Sequence, residues 1–339
     1  MRVAVVILNW NGKKFLEQFL PNVIKYSYPF AEVIIADNDS TDDSITFLKS
    51  KYPSLRIIQN IENGGFSKGY NDALKQIDTD YYCLLNSDIE VTENWIEPII
   101  NLMESDTQIA VCQPKLRSWH ENEKFEYAGA AGGFIDKYGY PFCRGRMFMD
   151  MEIDNGQYDD VFEVFWATGA CMFVKADLYH KYGGLDEDFF AHMEEIDFCW
   201  RLKNEGYKIM YCPDSTVFHV GGGTLPKNSA RKTYLNFRNN IFLLYKNLPR
   251  RKIIPVFLVR FLLDFVAAAK FLFESGFADF FAVVKAHFHF YRSLSHNLKK
   301  RKKITHRHVS KILNKNLIFE YYFKGKKKFS DLNINDFSK

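Results

Sequence analysis

The chain has 339 residues, 47% of them hydrophobic and 25% charged, the balance of a globular protein able to bury one large core or two smaller ones. Six cysteines (83, 112, 143, 171, 199 and 212) form no CxxC pair and no metal-ligand spacing, which disfavours a zinc module or disulfide framework and leads us to expect reduced thiols in a cytosolic protein. The net charge of +4 hides an asymmetry: Arg250 to Lys328 carries 19 Lys and Arg against 4 Asp and Glu, a balance of +15 that leaves −11 for the rest.

The opening "MRVAVVILNWNG" has too short an apolar run for a signal peptide and reads as a first strand over 3–8, followed by a helix over 13–26. "EVIIADNDS" (32–40) is a second strand, and "TDDSITFLKSKY" a helix with an acidic first turn. "LRIIQN" (55–60) is a third strand, followed by the turn "ENGG" and a helix over 66–77. "YYCLLNSDIEV" is the fourth. Apolar strands separated by amphipathic helices predict a mostly parallel, Rossmann-like α/β sheet covered on both faces, with ligands at the carboxyl ends of the strands. Those ends carry Asn9-Trp10-Asn11, Asp37-Asn38-Asp39, Asn63-Gly64-Gly65 and Asn86-Ser87-Asp88.

No GxGxxG follows the first strand and there is no GxxxxGK[ST], so a dinucleotide dehydrogenase and a P-loop NTPase are disfavoured. Asp37 suits the imide N–H of a uracil or thymine, Trp10 offers a flat face to the base, and Gly64 and Gly65 allow close backbone approach. Asp88 suits a divalent cation held against a pyrophosphate. In the second half, "HMEEIDFCWR" places Glu194, Glu195 and Asp197 within one helical turn, where like charges raise one another's pKa. An acidic first turn with an Asp197–Arg201 pair is the structural alternative there.

The series "VVILNWNG", "IIADNDSTDDS", "NGGFSKGYNDAL" and "LLNSDIEV", followed by "TGACMFVKADLYHKYGGLDEDFFAHMEEIDFCWRLKNEGYKIMYCPDSTVFHVGGGT", resembles the inverting family 2 glycosyltransferases of the GT-A fold, in particular their bacterial rhamnosyltransferase-like branch. The match spans roughly residues 1–245. The resemblance implies Asp88 and His219 as ligands of a Mg²⁺ or Mn²⁺ ion, Glu195 as catalytic base with Glu194 in reserve, and a nucleotide-sugar site including Leu8, Trp10, Asp37, Asn38, Asn63, Gly64, Gly65, Lys68, Asn86 and Ser87. Asn86 stands where the family's metal motif has its first aspartate. Trp166 and Asp197 are expected on the acceptor side, and the glycines 221–223 in a loop closing over the donor. The implied reaction moves a sugar from a nucleotide-diphospho-sugar, dTDP-rhamnose or a UDP-hexose, to a glycan or lipid-linked acceptor. The absence of QxxRW points to single additions. A sugar nucleotidyltransferase and a non-catalytic membrane scaffold are the alternatives.

This reading divides the chain into a catalytic domain, 1–247 (1–115 for the nucleotide-sugar, 116–247 for acceptor and catalysis), and a basic helical tail, 248–339. The tail interrupts its apolar stretches with Arg260, Asp264, Lys270, Glu274 and Asp279, so amphipathic helices on the inner face of a membrane are expected rather than a span. The expected apolar stripe is Phe257, Phe261, Phe265, Leu272 and Phe280, rimmed by Arg260, Lys270 and Lys285, with "KKRKK" (299–303) at headgroup level. A helical pair packed on the catalytic domain, or a homodimer interface, is the other use of such helices; nucleic acid is not expected, because apolar residues interleave the cations.

Overall fold

A computed structural model describes residues 1–221 and 229–339. The first half alternates β1 (Val3–Asn9), α1 (Lys13–Ser27), β2 (Glu32–Asp37), α2 (Ser44–Lys51), β3 (Arg56–Gln59), α3 (Gly65–Leu74) and β4 (Tyr81–Asn86). The fourth apolar run then breaks at Ser87-Asp88 and resumes as the short β5 (Ile89–Val91), followed by α4 (Glu97–Ser105) and β6 (Ile109–Ser118). A meander of β7 (Gly133–Asp136), β8 (Pro141–Cys143), β9 (Arg146–Met147) and β10 (Asp150–Met151) precedes β11 (Phe162–Val164), β12 (Cys171–Lys175), α5 (Ala176–Lys181), α6 (Glu194–Asn204) and β13 (Lys208–His219). The chain continues with α7 (Ala230–Asn247), α8 (Arg250–Glu274), α9 (Phe277–Arg292), α10 (Leu294–Arg301), β14 (Ile312–Leu313) and α11 (Leu317–Tyr322).

The main sheet has the order β11-β13-β6-β12-β4-β1-β2-β3, with β5 paired to β13. Strands β1, β2, β3, β4, β6 and β13 run one way and β5, β11 and β12 the other, so the sheet is mostly parallel. Its side chains alternate between two layers, as the strand period of two requires. Val3, Val5 and Ile7 pack with Leu16 and Leu20 of α1 and Met103 of α4, whereas Ala4 and Val6 pack with Tyr70 and Leu74 of α3. Because β3, β2, β1 and β4 are adjacent and parallel, their polar carboxyl ends lie along one edge, with Asn9 opposite Asp37 and Leu8 opposite Asn86.

The expected division at 247/248 is not a boundary of packing. Strand β14 pairs with β7, extending the meander into a five-stranded sheet of order β10-β9-β8-β7-β14. Phe329 and Phe337 insert against Phe134, with ring centroids 4.9 and 5.4 Å away. The backbone N–H of Leu317 donates to the buried Asp136 carboxylate at 2.9 Å, and that of Phe329 to Glu152 at 3.0 Å. Long-range apolar and backbone pairing therefore overrides the change in composition, and the last part of the chain is core.

Helices α8 to α10 form as expected, and Lys270 and Lys285 of the expected rim are exposed, but Arg260 is not part of it. Arg260 is buried; it pairs with Asp264 at 3.0 Å, donates to the Tyr138 carbonyl at 2.9 Å and lies over the Tyr140 ring. In the cluster 299–303, Lys300 pairs with Asp186 and Asp188, and the buried Arg301 donates to the Tyr245 carbonyl. Buried charge must be paired, and these partners lie in the body. Phe261 and Phe265 do face outward, whereas Phe257 packs on Tyr245 and Phe290.

Truncation after residue 247 should therefore leave no cooperatively folded domain, because it uncovers Phe134 and Phe142. Phe329→Ala should cost about 3–5 kcal/mol of unfolding free energy. Denaturant melts of the two variants check both statements; a truncated chain that melts cooperatively would restore the boundary.

Candidate active site

The break at Ser87-Asp88 explains why an aspartate ends a buried strand. Strand β5 turns aside to pair antiparallel with the end of β13, with Ile89 opposite His219. That register sets the Asp88 carboxylate 3.2 Å from Nε2 of His219, both side chains being buried. On the other side of the ring, Glu126 places a carboxylate oxygen 3.2 Å from Nδ1, a buried atom that makes no hydrogen bond among the described residues. Burial disfavours charge on His219, but the carboxylates of Glu126 and Asp88 outweigh it and raise its pKa well above the ordinary value. Burial likewise opposes ionisation of Asp88; His219 and the N–H of Gly221 hold its pKa below the usual carboxylate range.

Among the described residues no group of three or more His, Cys, Asp and Glu is placed to hold a metal ion. Asp88 and His219 nonetheless fit two positions of one. Neighbouring corners of an octahedron with bonds of 2.0–2.1 Å are about 3 Å apart, close to their separation, and Mg²⁺ takes its remaining ligands from phosphate and water. Glu126, which the sequence reading missed, would accept the Nδ1 proton and turn Nε2 toward the ion, as carboxylates behind metal-binding histidines do.

The nucleotide-side residues gather where they were expected, with roles that differ. Trp10 is 43% exposed at the end of β1, an open ring face. Asp37 is buried, accepting from Asn9 Nδ2 and from the Ser40 N–H, both at 3.1 Å. Asn38 is buried too; it donates to Asn63 Oδ1 and the Gly65 carbonyl and accepts from Asn60, so it braces the loops rather than facing a ligand. Gly65 has φ of +79°, and a Cβ there would meet the Phe190 ring at 2.6 Å, so this turn admits only glycine. Leu8 is partly buried and packs on the core. Lys68 pairs with Asp72 and, at 3.8 Å, with Glu62. Asn86 and Ser87 are partly buried beside Asp88, and the Asn86 N–H donates to the Ala170 carbonyl at 2.9 Å.

The acidic pair opens α6. Glu194 is buried and Glu195 partly so; each keeps one buried carboxylate oxygen without a hydrogen-bond partner among the described residues, as does Nε2 of His192. Native proteins leave few such atoms, so three within four residues mark a place where a ligand completes the bonding. Burial and then the neighbouring Glu195 raise Glu194 well above the carboxylate range. Burial raises Glu195 to about 7, partly offset by backbone N–H groups at the helix start. Burial, with Lys232 nearby, lowers His192 to about 4.

The loop before the pair is strained: Phe190, His192 and Met193 have φ of +63°, +71° and +74°. It is held by α7. Asn239 donates to the carbonyls of Phe189, Ala191 and His192 at 2.9, 2.8 and 2.7 Å, and Arg238 to those of Asp188 and Phe189. Phe190 accepts at its carbonyl from the Phe66 N–H at 2.7 Å, which ties the loop to the nucleotide side. No sequence signal singles out Asn239; "NFRNN" reads as a polar stretch of helix.

Two acceptor-side expectations are corrected. Asp197 is wholly buried, with Lys246, Arg201 and Asn247 all at 2.8 Å from its oxygens, so it is an ion-pair centre with nothing left for an acceptor. Trp166 is 3% exposed, lies over Gly133 and donates to the Phe134 carbonyl at 2.9 Å, so it joins the two sheets from inside. Gly222 and Gly223 of the expected loop lie outside the described residues.

Residues 4–181 match the family model described as Glycosyl transferase family 2. The chain belongs to that family. Its relatives include an N-acetylglucosaminyl-diphospho-decaprenol L-rhamnosyltransferase of Mycobacterium tuberculosis, 23% identical over 64% of this chain and 75% of the relative. Rhamnosyltransferase WbbL of Escherichia coli K12 is 22% identical over 64% and 83%, and the low-salt glycan biosynthesis hexosyltransferase Agl10 of Haloferax volcanii 22% over 70% and 73%. Among solved structures, GalNAc-T7 with UDP, GalNAc and Mn²⁺ superposes with a TM-score of 0.59 at 16% identity, covering 74% of this chain and 49% of that one. A Pyrobaculum calidifontis mannosyltransferase with GDP-Man and Mn²⁺ gives 0.51 at 13%, covering 87% and 75%. The fold of this family 2 glycosyltransferase is thus GT-A.

Asn239→Ala should strand the three loop carbonyls. We expect a loss of about 1–3 kcal/mol in stability and faster proteolytic cleavage within 188–193, read by limited proteolysis; an unchanged cleavage pattern would remove Asn239 from this role.

Proposed function

We propose that this chain is an inverting, metal-dependent, non-processive transferase that moves one sugar from a nucleotide-diphospho-sugar to a hydroxyl of a glycan or lipid-linked acceptor in surface polysaccharide synthesis. The observation that carries it is the split between two adjacent carboxyls. Burial and the neighbouring Glu195 raise Glu194 well above the carboxylate range, whereas burial raises Glu195 to about 7, where a general base works best. The rhamnosyltransferases among its relatives favour dTDP-rhamnose as donor, and a UDP-hexose is the second reading, favoured by the hexosyltransferase and the UDP-bound neighbour.

Each group has a separate task. Trp10 stacks on the base and Asp37 accepts from it, while the Gly64-Gly65 turn, without side chains, lets the donor approach the backbone closely. Asp88 and His219 would hold the Mg²⁺ or Mn²⁺ ion, which when bound supplies counter-charge to the departing diphosphate. Glu195 takes the proton of the acceptor hydroxyl as that oxygen attacks the anomeric carbon opposite the leaving group, so the centre inverts. Burial of the pair keeps the Glu195 carboxylate basic. The outward apolar residues of α8 and α9 attach the enzyme to the inner face of a membrane. Among the described residues no helix is long and apolar enough to cross one.

Asp88→Ala should abolish the Mn²⁺-dependent thermal shift given by dTDP or UDP and lower transfer by roughly two orders of magnitude or more, the worth of several kcal/mol at the leaving group. A folded variant that turns over normally without metal would refute the metal assignment.

Glu195→Gln should retain donor binding and lose kcat. In the wild type, kcat/KM should rise with pH through about 7, because Glu195 is protonated and inactive below its raised pKa. Stability should move the other way. The folded chain holds this proton more tightly than an unfolded one, where Glu titrates near ~4.3. Its favourable contribution is therefore complete at low pH and is lost as pH rises through the folded value near 7. A pH–rate profile flat from 5 to about 8 would sink the assignment of Glu195.

A further inference from the structure

Beside the catalytic loop lies a cavity of about 640 Å³ between α7 and α9, lined by residues that include Phe190, Arg231, Tyr234, Arg238, Phe281 and Lys285. Arg231 lies over the Phe190 ring, Lys285 over the Tyr234 ring, and Arg238 spends its donors on the carbonyls of Asp188 and Phe189 and on Asn239. None of these three cations forms an ion pair among the described residues, although the carboxylates nearby are engaged: Asp188 with His296 and Lys300, Asp279 with the Thr233 hydroxyl. Arg231 and Lys285, exposed and without an ion-pair partner among the described residues, make the hollow an anion site, and Arg238 adds its charge at the wall.

The wall and the floor are apolar. Phe281 lines the hollow and is 59% exposed, and it continues outward along α9 as Phe277, Val284 and Phe288, at spacings of four, three and four residues. Helix α8 packs beside it and adds Ile254, Leu258, Phe261 and Phe265 on its own outward face. The hollow also shares a wall with the loop that leads to the acidic pair. Phe190 forms its wall and at the same time packs on Gly65 of the nucleotide side; two residues further on the chain reaches His192, and then the acidic pair.

We propose that this cavity receives the phosphate or diphosphate group of a lipid-linked acceptor, with the lipid chain lying along the apolar faces of α9 and α8 and the sugar directed to Glu195. A soluble sugar phosphate would leave the phenylalanine face without use, and a bare bilayer would not need a cationic hollow at the catalytic loop. A lipid that carries phosphate at its head uses both. The inference rests on the transferase reading given above and names the surface that takes the acceptor.

The test uses the full chain and phosphatidylcholine vesicles doped with farnesyl diphosphate as probe, compared with phosphatidylglycerol vesicles of matched surface charge, by flotation. The wild type should prefer the lipid diphosphate. Arg231→Glu with Lys285→Glu, both exposed positions, should weaken that binding by about tenfold or more, since a single charge-assisted hydrogen bond to phosphate is worth over a decade in affinity. Arg231→Lys with Lys285→Arg should retain it. Unchanged binding by the charge-reversed variant would overturn the proposal. So would equal binding to phosphatidylglycerol, which means a general anionic surface, or full displacement by equimolar inorganic diphosphate, which means a site for the free anion. The thermal shift with dTDP or UDP and Mn²⁺ is measured on the same samples. Its retention in the charge-reversed variant shows that the fold and donor site are intact. Its absence from the wild type would count against the transferase reading, separately from the flotation result.

Discussion

The ammonium of Lys246, buried between Asp186 at 2.5 Å and Asp197 at 2.8 Å, is the contact through which most of the catalytic half is joined. Asp197 belongs to the first turn of α6, Lys246 to the last turn of α7, and Asp186 to the segment leading into the strained loop. Lys300 of α10 closes the group on Asp186, and Arg201 closes it on Asp197. A buried pair of this kind adds little net stability over apolar packing, yet removing one member costs about 3–5 kcal/mol because the other is left as an uncompensated charge. What it fixes is geometry. With Asp197 turned inward, Glu195, two residues before it, is held at the opposite side of the helix start, while Glu194, three before it, stays buried on the same face.

The donor half is organised by a different constraint, the register of a strand only three residues long. Had β5 continued in line with β4, Asp88 would have remained beside its neighbours in a parallel array, remote from β13. Pairing β5 with the end of β13 crosses the sheet and joins residues 131 positions apart in the chain into one buried Asp–His pair. A register slip of one residue would turn these side chains to the other face. The GT-A sheet therefore supplies both halves of the site by the same means, a strand or helix start fixed by partners distant in sequence.

That distance also sets what is legible from the sequence. The parallel strands, their polar carboxyl ends and the break at Asp88 are local signals, periodicity followed by a change of residue type. His219 is reached through a motif at a strand end. Glu126 is not, because nothing around "FEYAGAAGG" announces that it will meet a histidine 93 residues later. The Asp197–Arg201 pair is legible from its i,i+4 spacing, but the burial of Asp197 and of Arg260 is not. A charge on an amphipathic helix looks solvated until its partner is known, and here the partners are Lys246 for one and the buried Asp264, with the Tyr138 carbonyl, for the other. The tail's composition suggests a separate element; its few phenylalanines that complete the meander core carry no mark distinguishing them from the many that face outward.

The pairing of β14 with β7 has a consequence for synthesis. During translation the chain emerges in order, so the main sheet and the acidic pair are available before the strand and rings that close the smaller sheet. Until about residue 337 has left the ribosome, Phe134 and Phe142 face a gap that their own chain will fill. An open apolar sheet edge of this sort is a binding surface for chaperones and for other nascent copies. Ribosome stalling within residues 250–330 would thus release a species whose meander is left open, and the yield of native enzyme should depend on how quickly that stretch is translated.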